Sequence, residues 1–128
     1  MIIEPSPIIG QVIGCGIAVH KQLGPGLLES AYTACLFQEF VRHGISVERE
    51  VPVPVVHEGH CAKNPYRVDF VVEGQVLLEV KAVRALTPVH FSQVITYGRL
   101  LKLRQGLLMN FNAKLLKDGL RRVLIPPR

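Results

Sequence analysis

The sequence predicts an α/β (α+β) protein, a mixed sheet with helices packed against it in the order α-α-β-β-β-α-β-β. Three observations carry this. Two helix-length segments near the start are broken by Leu23-Gly24-Pro25-Gly26. Two β-rich runs flank Glu73-Gly74-Gln75, a short glycine-containing connection of hairpin type. Thr87-Pro88 then opens another helix ahead of two late apolar runs.

The first helix is expected over residues 7–22, with Pro7 in its first turn and with Gly14 and Gly16 either weakening it or permitting close packing. A second follows over 27–43 and is ended by Gly44. Residues 46–56 alternate as a strand that Pro52 and Pro54 confine to an edge or an irregular end. Residues 57–65 read as a polar loop, and the hairpin spans 66–83. The third helix runs over 88–103, with Thr87 as N-cap and Pro88 first inside. Gly106 to Phe111 reads as a buried strand and Leu120 to Ile125 as the last one.

A chain of 128 residues with 48% hydrophobic and 20% charged residues is expected to form one folded domain with a sizeable core. No apolar run approaches the ~20 residues of a membrane span. The start carries no basic segment followed by a long apolar one, so no secretory signal is expected and a cytoplasmic location is. Cys15, Cys35 and Cys61 form no Cys-x-x-Cys pair and read as reduced, mostly buried thiols. The net charge of +5 is unevenly spread. Residues 1–79 carry a balance of −4, and residues 80–128, with Asp118 their single acid, carry +9. A basic half beside a carboxylate site fits a polyanionic ligand; a basic solvated surface is the plainer reading.

The hairpin holds the residues that point to chemistry. With Glu73-Gly74-Gln75 as the loop, Val72 faces Val76, and counting outward Asp69 falls opposite Glu79. Residues two apart share a face, so Lys81 joins them. Two carboxylates about 5 Å apart repel. A divalent cation removes that cost, Mg²⁺ prefers such hard oxygens, and Lys81 suits a phosphate or a developing oxyanion.

Other positions leave two readings open. Glu29 falls on an apolar arc of the second helix, between Leu36 and Phe40, either as an acid of a site or as a carboxylate placed for the helix dipole. Gln93 and Tyr97 share one face of the third helix, where they either touch a site or form a buried supporting pair. His57-Glu58-Gly59-His60-Cys61 matches no strong zinc spacing and reads as surface. His20, His43 and His90 are isolated, and Gly24-Pro25-Gly26 lacks the lysine of a phosphate loop and reads as a turn.

Taken together, Asp69 followed by Glu79-Val80-Lys81 on paired strands resembles the PD-(D/E)XK nuclease superfamily. More narrowly, Gly26-Leu27-Leu28-Glu29-Ser30-Ala31-Tyr32 resembles the pattern that names the GxxExxY family within it. Arg67-Val68-Asp69, Leu86-Thr87-Pro88-Val89-His90 and Gly106-Leu107-Leu108-Met109-Asn110-Phe111 match as well, while Lys63-Asn64-Pro65-Tyr66 and Phe91 are less typical. The resemblance implies a restriction-endonuclease-like αβββαβ core with an extra N-terminal helix. It implies Asp69 and Glu79, with Glu29 as an added acid, as ligands of Mg²⁺ or Mn²⁺. Lys81 would orient the attacking water, and Gln93 with Tyr97 resembles a Gln-x-x-x-Tyr element of exonuclease-like branches. A nuclease acting on DNA or RNA, DNA more than RNA, is the first expectation. A nucleic-acid-binding module without turnover is the second, and a structural or partner-regulated protein, such as a homodimer meeting through the glycine-rich first helix, is the third.

Overall fold

The computed structural model describes residues 7–63 and 65–127. The chain runs through α1 (Ile8–Leu23), α2 (Glu29–Arg42), β1 (Val47–Pro52), β2 (Val56–His57), β3 (His60–Cys61), β4 (Arg67–Val72), β5 (Val76–Lys81), α3 (Pro88–Leu100), β6 (Gln105–Asn110), a short 3₁₀ turn (Leu116–Gly119) and β7 (Leu120–Leu124). Five strands form one mixed sheet in the order β1-β4-β5-β6-β7. Only β5 and β6 are parallel, because α3 crosses over between them. This is the expected αβββαβ arrangement with an extra N-terminal helix, and β1, ending at Pro52, is the expected edge.

The sheet is covered on both faces. One face buries Phe70, Leu78, Val80 and Met109 against Val12, Leu36 and Phe40 of α1 and α2. The other buries Val68, Val71, Leu77 and Leu108 against Val94 of α3 and Ile125. Strands sandwiched this way read as continuous apolar runs, as β5 and β6 do. Of the two helical glycines, Gly16 is the packing one: a side chain there would collide with Met109 and Leu116, whereas a side chain at Gly14 would meet open space.

Two local expectations are corrected. The segment 57–65 is not all loop, since β2 and β3 pair as a small hairpin. Its turn places Glu58 (φ 47°) and Gly59 (φ 79°) both in the left-handed region, the geometry a two-residue hairpin needs. Of the cysteines only Cys15 is buried; Cys35 and Cys61 are exposed, although all three are free thiols. His90 serves the start of α3, where its Nδ1 accepts the Thr87 N–H (2.9 Å).

Candidate functional site

The turn at Glu73 (φ 52°) and Gly74 (φ 63°) sets the hairpin register as the sequence implies, with Val72 opposite Val76 and Phe70 opposite Leu78. The regular ladder stops one step further out. There the Asp69 N–H donates to Glu79 Oε1 (2.8 Å), and the Val80 N–H donates to Asp69 Oδ2 (2.8 Å). Each carboxylate thus takes a backbone N–H of the neighbouring strand. The strand faces change at the same place: Phe70 packs towards α1 and α2, but Val68, two residues away, packs towards α3. Across from this step, between the pairs Arg49–Phe70 and Val51–Val68, Glu50 has φ 49°. A strained, face-switching step at a cluster of acids is where a functional site is expected to break a local rule.

Glu79 is the centre of the cluster and is 1% exposed. Its Oε2 accepts the Tyr66 hydroxyl (2.8 Å) and lies 3.6 Å from Lys81 Nζ. Tyr66 in turn stacks on Tyr97 of α3, with ring centroids 4.2 Å apart and planes 15° from parallel. The structure therefore brings together Asp69, Glu79 and Lys81, and sets Tyr97 one ring away. The side chain of Gln93, half-buried on the same helix, makes no hydrogen bond to a described residue.

Glu29 departs from its expected apolar arc: it is exposed in the first turn of α2. Leu28 precedes the helix, so Glu29 is the first helical residue and its side chain meets solvent before the helix docks. Among the described residues no three His, Cys, Asp or Glu side chains form a group placed to hold a metal. The Glu29 charge still raises the Asp69 pKa. The loop before it is fixed by Tyr32, which is fully buried and stacked on Phe111 (4.5 Å). The Tyr32 hydroxyl donates to Gly24 O (2.6 Å) and accepts the Leu27 N–H (3.1 Å).

The electrostatics follow from burial. Desolvation, then the Glu79 charge, pushes the Asp69 carboxyl up to about 7 from an ordinary 3.8; the Val80 N–H and the Lys81 ammonium pull the other way. Glu79 is also raised by desolvation, against the Asp69 N–H, the Tyr66 hydroxyl and Lys81. Burial and the Glu79 charge raise Tyr66 and Tyr97, which keeps both phenols protonated. Two carboxyls face one another at a cost that a hard cation relieves, and their donor chemistry fits Mg²⁺ or Mn²⁺. Tyr66 is the participant that the sequence did not reveal as functional. Asn110, opposite Lys81 on β6, buttresses the exit from β5: its side chain donates to Val83 O (2.9 Å) and accepts the Val83 N–H (3.1 Å).

A family model described as the PD-(D/E)XK nuclease superfamily matches residues 6–123. No curated protein matches the chain, and no solved structure does.

Proposed function

Because the chain belongs to the PD-(D/E)XK nuclease superfamily, we propose that it hydrolyses phosphodiester bonds of nucleic acid, and that it is a member of the GxxExxY branch. One observation carries the reading: Asp69 and Glu79, interlocked across two strands, present their carboxyls beside the Lys81 ammonium. Asp69 and Glu79 are the residues that would hold Mg²⁺ or Mn²⁺, with Glu29 as an outlying acid. A divalent ion bound there supplies charge for the phosphate and lowers the pKa of its water. The protein's own part is positional. The two backbone N–H groups fix the carboxylates without side-chain freedom, which avoids an ordering cost at binding. Tyr66 and Lys81 share Glu79 Oε2, so the ammonium is held at the rim of the acid pair, where it can orient a water and meet developing negative charge. Gln93 and Tyr97 line the α3 side, where an unspent amide is available to a strand. The basic second half draws the polyanion in.

The test is a cleavage screen on single-stranded, duplex and branched DNA and RNA with Mn²⁺, comparing the wild type with Asp69→Asn and Glu79→Gln. Loss of cleavage in both folded variants supports the proposal; a variant that cleaves like the wild type overturns it.

A second reading, binding without turnover, has one specific observation in its favour. Both Glu79 oxygens already have protein partners. Binding that survives EDTA, with no cleavage of any polymer, selects it.

A further inference from the structure

Beside the carboxylate pair lies a cavity that the chemistry above does not use. It is a half-open cleft of about 280 Å³, and its walls include Arg84, Phe91, Asn110, Asp118, Gly119 and Arg121. Lys81 pairs with Asn110 in the parallel ladder, so the cavity begins one strand spacing, about 5 Å, from the candidate site. It opens on the same side of the sheet, since Phe91 packs with the core under α3.

Its chemistry is specific. Arg84 is exposed and makes no ion pair among the described residues. The Arg121 guanidinium is steadied by carbonyls, Asp118 O (3.2 Å) and Leu120 O (2.7 Å), so its charge is not spent on a carboxylate. Two guanidiniums in one lining, neither in an ion pair with a described residue, suit a phosphate. Phe91, half-buried, offers an aromatic wall for a base. Asp118 supplies an acceptor for the N–H donors of a base and disfavours a second phosphate. Gly119 brings the far wall close, because a side chain there would run into the Asn110 carbonyl. A half-open, aromatic-walled cleft of this size suits one splayed nucleotide rather than a paired stretch.

We propose that this cavity is a subsite for one unpaired nucleotide flanking the phosphate presented to Asp69 and Glu79, so that the substrate is a strand with an unpaired segment. The proposal rests on the nuclease reading of that acid pair. Stacking on Phe91 and phosphate contact with Arg84 and Arg121 give it separate signatures.

The test is fluorescence anisotropy in EDTA with a labelled oligothymidylate, an oligouridylate of equal length and a matched duplex, at several salt concentrations. Arg84→Ala and Arg121→Ala are each expected to weaken binding of the unpaired strands about tenfold and to lower the salt slope by about 1. Phe91→Leu, chosen to keep the core filled, is expected to weaken them at least about fivefold with little effect on the duplex or on the salt slope. The two unpaired probes separate DNA from RNA as the preferred strand. Variants that melt like the wild type but bind the unpaired strands unchanged overturn the subsite, as does an equal loss for strand and duplex. A wild type that binds the unpaired strand through these three residues, yet never cleaves with Mn²⁺, overturns the nuclease reading and leaves the subsite standing.

Discussion

Asp69→Asn is expected to make the metal-free protein more stable above neutral pH while removing its function. In the folded chain the Asp69 carboxyl keeps its proton up to about pH 7, against 3.8 ordinarily. Between those values the folded state binds more protons than the unfolded one, so stability is full below about pH 4 and is lost as pH rises through 7. A shift from 3.8 to about 7 corresponds to a ceiling of about 4 kcal/mol. Asp69 is only half-buried, and solvent screening leaves about 2 kcal/mol. For a chain of this length that is roughly 7 °C in Tm. The asparagine keeps an acceptor for the Val80 N–H and abolishes the titration. Thermal melts in EDTA at pH 4 and pH 8 should therefore converge for the two proteins at the lower pH. At the higher pH the variant should lie several degrees above the wild type. Mn²⁺ should raise the wild-type Tm chiefly at the higher pH and leave the variant unchanged. Equal melting curves at pH 8, or a variant that Mn²⁺ stabilises as well as the wild type, would refute the reasoning.

Three further outcomes are expected. Lys81→Met keeps the apolar stem and removes the ammonium near Glu79; cleavage should fall about 10²–10³-fold with melting little changed, as steady-state kinetics and calorimetry would read. Tyr66→Phe keeps the stack on Tyr97 but removes the donor to Glu79 Oε2; Mn²⁺ affinity by titration calorimetry should weaken about tenfold. Tyr32→Phe strands the Gly24 carbonyl and the Leu27 N–H, and denaturant titration should show a loss of about 1–2 kcal/mol.

Much of the frame was legible because it rests on short-range rules. Two left-handed residues at Glu73 and Gly74 fix the hairpin register, and counting outward from it puts Asp69, Glu79 and Lys81 in one neighbourhood. Pro52, the last residue of β1, and Pro54 just beyond it mark the sheet edge. The details of the site were not legible, because there the period-two rule fails. Val68 and Phe70 face opposite sides, so alternation cannot say how Asp69 meets the neighbouring backbone. Tyr66 lies ahead of β4, and nothing in its spacing foretells a hydroxyl on Glu79 or a ring on Tyr97. Periodicity puts Glu29 on an apolar arc, but as the first residue of α2 it is exposed, which matches its other reading as an acid at the helix start. The small hairpin at β2 and β3 is too short, at two residues a strand, to leave a pattern.

The crossed contacts between Asp69 and Glu79 turn two amides into built-in reporters. Exchange of the hydrogens on Asp69 N and Val80 N requires the partner acid to let go, so their protection factors follow the carboxylates themselves and not merely the breathing of the hairpin. A ligand that recruits those oxygens should therefore be visible as a change at residues 69 and 80 before any product is made.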